Sequence, residues 1–170
     1  MNLSGILNRF RHVRITVTPA DPEDLAECVL LGMEALDAYN LPVNTCDEER
    51  MARHLLSVIE NPTGAVFIAR DIDDPVGLWC CAVAEPDIWD NLPVANVWFL
   101  FVRPEARNSP AVLLALFRAG LESMRGWGTA KMRTILDPNA AQHVEAYKWR
   151  FGLSREATCD VFSLDLREVK

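Results

Sequence analysis

The sequence predicts an α/β (α+β) fold, one mixed sheet with helices on both faces, and three observations carry the prediction. Short apolar runs and segments of helical period follow one another in the order β-αα-βββ-α-β-α-β. No linker, low-complexity stretch or internal repeat interrupts that order, so a single layered domain over residues 1–170 is the economical architecture. Half of the 170 residues are hydrophobic. A chain of this length buries roughly two-thirds of the surface it exposes when unfolded, which is enough for a sizeable core.

The elements are justified in turn. "HVRITVT", residues 12–18, alternates apolar and polar residues with β-branched side chains, the pattern of a half-buried strand. Helix one follows in "PADPEDLAECVLLGMEALDAYN", with Asp21 as N-cap, Pro22 at the first helical position and acidic residues in the first turn. In "TCDEERMARHLLSVIENPTG", Thr45 or Asp47 caps a second helix, Met51, Leu55, Val58 and Ile59 form its stripe, and Asn61-Pro62 ends it.

"GAVFIARD" and "PVGLWCCAVAE" are two apolar runs joined by the acidic turn Asp71 to Asp74, a hairpin signal. A third strand is expected at "ANVWFLFV". Beyond it come a helix from Ser109 or Pro110 to about Arg125, a strand at "AKMRTIL", a helix around "NAAQHVEAYKWRF" and a final strand in "ATCDVFSLDL". The stripe Leu113, Leu116, Phe117, Leu121 and Met124 reads as a helix face packed on the sheet.

Charge and composition exclude several classes. Seventeen basic against twenty-four acidic residues leave a net charge of −7, which opposes general nucleic-acid binding. The five cysteines are odd in number and lack metal-ligand spacing, so they read as reduced, mostly buried thiols of a cytoplasmic protein without a metal site. No apolar run reaches the length of a membrane span, and the amino terminus lacks a signal peptide's compact apolar segment. Residues 1–11 do place Leu3, Ile6, Leu7 and Phe10 on one helical face with arginines beside them. Such an amphipathic arm suits a protein partner, a homodimer, a membrane surface or the protein's own core. The five tryptophans lack basic interleaving and read as core or interface aromatics.

The segment "FLFVRPEARNSPAVLLALF", with the element order around it, resembles the GCN5-related N-acetyltransferase (GNAT) family over nearly the whole chain, from about Val13 to Leu166. The family's strand ends in Val-x-Pro-x-x-Arg, and Val102, Pro104 and Arg107 stand in those places. More narrowly, "ENPTGAVFIARD", "PVG" and "WFLFVRPEAR" resemble acetyltransferase-like proteins encoded by tailed bacteriophages. The resemblance implies a mostly antiparallel sheet of about six to seven strands. It also implies acetyl-CoA as cofactor and an amine of a small molecule or a protein as acceptor.

The resemblance assigns roles residue by residue. The backbone of Phe99 to Val102, with Phe101 and Val102 at its end, would pair with the pantetheine arm, and a bulge there would aim an amide at the thioester oxygen. Arg107, Asn108, Ser109 and the amides of Ala111 and Val112 would hold the diphosphate at a helix start. Asn139 stands near the family's cofactor-contacting asparagine. Tyr147 is the candidate general acid or a packing residue, one residue further from Gly152 than the family's interval.

Two departures matter. The loop glycines are replaced, and Pro110, which has no amide hydrogen, occupies the first of them, although Ser109-Pro110 is also a good cap and first-turn pair. No carboxylate stands on the strand that often carries the family's base, where Asn96 and Val97 are found. Glu85, Asp87 or His143 would have to act through water, Glu85 being the candidate base. Two functions stay open on these residues. One is an acetyl-CoA-dependent N-acetyltransferase. The other is an inactive phage protein on the same fold with a virion or host-interaction role, in the host cytoplasm or the virion.

Overall fold

A computed structural model of the chain describes residues 14–38, 46–84, 93–107, 110–129 and 131–134. The chain divides into two compact units, Met1–Ile135 and Leu136–Lys170, and all described residues belong to the first.

The described elements follow the expected order. Strand β1, Ile15–Pro19, leads through a single 3-10 turn, Pro22–Asp24, into helix α1, Leu25–Ala38. Asp21 caps this start as expected, but the first turn is 3-10 rather than α. Its carboxylate accepts from the amides of Glu23 and Asp24, while the Asp24 carboxylate accepts from the Asp21 amide, a reciprocal box that tightens the turn. Helix α2, Glu48–Ile59, starts on Asp47, whose side chain accepts from the Arg50 amide at 2.8 Å.

Strands β2, Gly64–Asp71, and β3, Asp74–Ala84, form the expected hairpin, closed by the pair Asp71↔Asp74. Strand β4, Val94–Val102, precedes a 3-10 turn at Pro104–Ala106 and helix α3, Pro110–Gly126, and strand β5 is Lys131–Thr134. The sheet order is β1-β2-β3-β4-β5, antiparallel through β4 and parallel between β4 and β5. The sheet is thus mixed and mostly antiparallel. Five strands lie among the described residues, fewer than the six to seven expected, and the segment of the expected last strand and that of the last helix lie outside them.

Successive side chains of a strand point to opposite faces, so the sheet supports two cores. On one face Cys28 and Leu31 of α1 and Met51 and Leu55 of α2 cover Ile68, Leu78, Cys80 and Phe101. On the other, Val112, Leu116 and Phe117 of α3 are buried, and Trp79 meets Phe117 edge to face at 5.4 Å between ring centroids. Each fully buried Leu or Phe contributes about 1.5–3 kcal/mol, so these two layers dominate the stability. Gly120 is dictated by packing: a Cβ there would lie 2.3 Å from the Trp79 indole.

Two arginines bind α1 to the sheet. Arg70 of β2 reaches Asp24 at 2.7 Å, Glu27 at 2.6 Å and the Thr18 hydroxyl at 3.0 Å. Arg103, just past β4, makes a two-pronged pair with Glu34 of α1, both contacts at 2.8 Å, and touches Asp74 at 3.3 Å. Both guanidinium groups are mostly buried, where a forked carboxylate pair is strongest.

Candidate acyl-transfer site

The site is built on β4, and its defining feature is a break in register. Cys80 pairs with Phe99, yet Cys81 pairs with Val97, so Trp98 is an extra residue on β4. This is a β-bulge. Phe99 stays buried, and Trp98 is turned out to 40% exposure. The parallel ladder to β5 runs from Val94↔Lys131 to Val97↔Thr134, on the amino-terminal side of the bulge.

Past the bulge the strand runs through Leu100, Phe101 and Val102 into Arg103-Pro104. Phe101 is 2% exposed and Val102 8%, so their side chains belong to the core. Arg107 is exposed. Its Nε donates to the Val102 carbonyl at 2.7 Å, and its guanidinium carbon lies 5.8 Å from the centroid of the Phe101 ring. The side chain is thereby folded back against the end of β4. Among the described residues its terminal nitrogens carry no ion pair, in contrast with Arg70 and Arg103.

Helix α3 opens at Pro110, the first-turn position expected for it, with Ala111 exposed and the Val112 side chain fully buried. The structure therefore brings together Phe101, Val102, Arg107, Ala111 and Val112, at the end of one strand and the start of the next helix. The residues fit a diphosphate in part: a cation and a helix amino terminus are present, while Pro110 supplies no amide hydrogen. Glu85, Asn108, Ser109, Asn139 and Tyr147 lie outside the described residues, as do Asp87 and His143.

One titratable group was not singled out by sequence patterning. His54 lies on α2, and its ring stands edge to face with Trp98 at 4.9 Å and near Phe99 at 6.4 Å. Its Nε2 is buried and, among the described residues, has no hydrogen-bond partner. Burial pulls its pKa below the ordinary 6.5, leaving a neutral imidazole at neutral pH. The sequence reading passed it over, because it stands outside the apolar stripe Met51, Leu55, Val58 and Ile59. The thiols are of the opposite kind. Burial pushes Cys81 up to about 11 and, with Asp24 and Glu27 beside it, Cys28 up to about 12. Cys80 is raised by burial as well, so none of the three is a nucleophile near neutrality.

No protein-family model and no curated protein matches the sequence. Solved structures do. A predicted acetyltransferase with acetyl-CoA from Clostridium acetobutylicum superposes with a TM-score of 0.74 at 14% identity, over 91% of this chain and 97% of that one. An aminoglycoside acetyltransferase from an uncultured soil metagenomic sample, in complex with trehalose, gives 0.70 at 14% identity over 88% and 96%. A ribosomal-protein-alanine N-acetyltransferase from Brucella melitensis gives 0.65 at 14% identity over 88% and 99%. The chain has the GNAT fold. At these identities the likeness is one of fold, and the GNAT resemblance read from "VRPEAR" agrees with it.

Proposed function

We propose that the chain is an acetyl-CoA-dependent N-acetyltransferase acting on an amine. The observation that carries the proposal is the bulge at Trp98, on the strand that leads into Arg107 and the start of α3. A bulge re-aims a backbone amide, and an amide held toward a thioester oxygen stabilises the charge that develops there. Bound acetyl-CoA supplies the activated acetyl group. The backbone of Phe101 and Val102 lines its pantetheine arm. Arg107, Asn108, Ser109 and the first turn at Ala111 and Val112 face its diphosphate, and Asn139 makes a further cofactor contact.

Tyr147 acts as proton donor to the departing sulfur, and the candidate base on the strand side is Glu85, acting through water. The acceptor is an amine on a small molecule or on a protein, and fold relatives named for aminoglycosides and for a ribosomal protein's alanine support both. Residues 1–170 are taken in this reading as a single domain, with residues 1–11 as an arm for a partner or a second copy. The site of action in this reading is the cytoplasm, and among the described residues no helix is long and apolar enough to cross a membrane.

Pro110 favours a second reading, in which the fold is kept without catalysis, as in a phage virion component or host-protein binder. Arg107→Ala separates the two. If the site binds a diphosphate, losing the cation weakens acetyl-CoA binding by about 1.5–3 kcal/mol, roughly ten- to a hundredfold. Unchanged affinity would place the diphosphate elsewhere, and a native protein that binds no acetyl-CoA would support the non-catalytic reading.

A further inference from the structure

The bulge does more than re-aim an amide: it brings β4 against the one described histidine. Trp98, the extra residue, meets the His54 ring edge to face, and Phe99, the next residue, packs on the same ring. Among the described residues the buried Nε2 has no partner. Buried polar atoms are almost always hydrogen-bonded, and the exceptions need an explanation. On β4 itself, the two residues before the bulge are uncharged, Asn96 and Val97.

Resting on the acetyltransferase reading, we propose that His54, in place of Glu85, accepts the proton of the acceptor amine, with Trp98 shielding the imidazole from bulk water. An ammonium proton passes to Nε2, and the freed nitrogen lone pair attacks the acetyl carbonyl carbon. The C–N bond forms, and the C–S bond breaks with its electron pair on sulfur. The surplus proton on nitrogen ends on that sulfur, and His54 returns its proton to solvent. Every proton and electron pair is accounted for without another reactant.

The surroundings of His54 suit this role. From β4 it meets the uncharged rings of Trp98 and Phe99. On α2, Arg50 lies one turn before it, Arg53 adjoins it and pairs with Glu49 at 3.9 Å, and the Ser57 hydroxyl donates to the His54 carbonyl at 2.7 Å. Burial is the cause of its lowered pKa. The imidazole is thus held neutral and able to take a proton at pH 7.

The test uses the full chain, 15N-labelled, and its three histidines. His54→Gln assigns the His54 imidazole resonances by their disappearance. In the native protein these should titrate below pH 6.5 and shift when acetyl-CoA is added. His54→Gln should keep acetyl-CoA affinity within about twofold and lower CoA release at least about 100-fold, with sisomicin, butylamine and an alanine-ended peptide as probe amines. The acidic limb of the native pH–rate profile should vanish in the variant.

If acetyl-CoA binds but leaves the His54 resonances unmoved, or if His54→Gln keeps the native rate and pH profile, the assignment to His54 falls and the acetyltransferase reading stands. If the native protein binds no acetyl-CoA or releases no CoA with any of the three amines, both fall together. Melting of His54→Gln at the native temperature would show that its losses are not those of unfolding.

Discussion

Ile72 is a residue out of keeping with its place. It sits in the two-residue loop between β2 and β3 at φ 62°, a region that β-branched side chains rarely adopt. The left-handed conformation costs about 1–2 kcal/mol, and the side chain is 60% exposed, so little packing offsets it. Ile72→Gly should therefore stabilise the protein by about 1 kcal/mol, raising its melting temperature by roughly 2–4 °C. An unchanged or lower melting temperature would mean that the turn is not strained. His54 makes a second prediction at this scale. Its folded pKa lies below its unfolded value of 6.5, so the unfolded chain binds the extra proton. Stability contributed by the neutral ring is present above pH 6.5 and is lost as pH falls through the folded pKa. Trp98→Ala should hydrate the ring and move its NMR titration midpoint up toward 6.5; an unmoved midpoint would show that Trp98 does not bury it.

Among the elements, α3 carries two opposite constraints. Its first turn was legible in the sequence, because a proline is favoured at the first helical position and Pro110 does open the helix. Its packing was not legible, since nothing in the stripe of apolar residues announces that Gly120 lies against Trp79. Gly120→Ala would gain helix propensity of about 1 kcal/mol in an exposed helix, yet here it overpacks the core. We expect a net loss of about 1–2 kcal/mol in denaturant unfolding, and a gain would contradict the close approach. At the other end of the motif, Arg103→Ala should cost about 2–3 kcal/mol by leaving the Glu34 carboxylate without its two-pronged partner. Glu34→Gln should cost less. The two arginines of "RPEAR" thus divide the work: Arg103 fastens β4 to α1, and Arg107 stays exposed at the head of the site. Sequence reading placed Arg107 but passed over Arg103, because its partner lies far away in the chain. The β4 bulge was equally hidden. "NVWFLFV" has no glycine or proline to mark it, and a one-residue change of phase inside a continuous apolar run leaves no periodic trace.

For the whole molecule, the order of elements was readable because each boundary had a local cause: Asp21 and Asp47 as caps, Asn61-Pro62 as a stop, acidic residues at the hairpin. The sequence singled out the stretch Val102 to Val112, which follows the chain, and not the packing of His54 of α2 on Trp98 of β4, which is a matter of tertiary structure. The proposed function requires that this fold bind acetyl-CoA although Pro110 stands at the start of α3. One lost hydrogen bond to a charged group weakens binding roughly ten- to a hundredfold without abolishing it. Calorimetric titration of the native chain with acetyl-CoA tests this most directly. Saturable binding at micromolar to submillimolar affinity, with a rise in melting temperature at excess ligand, is the predicted result. No heat and no stabilisation at millimolar acetyl-CoA would contradict it.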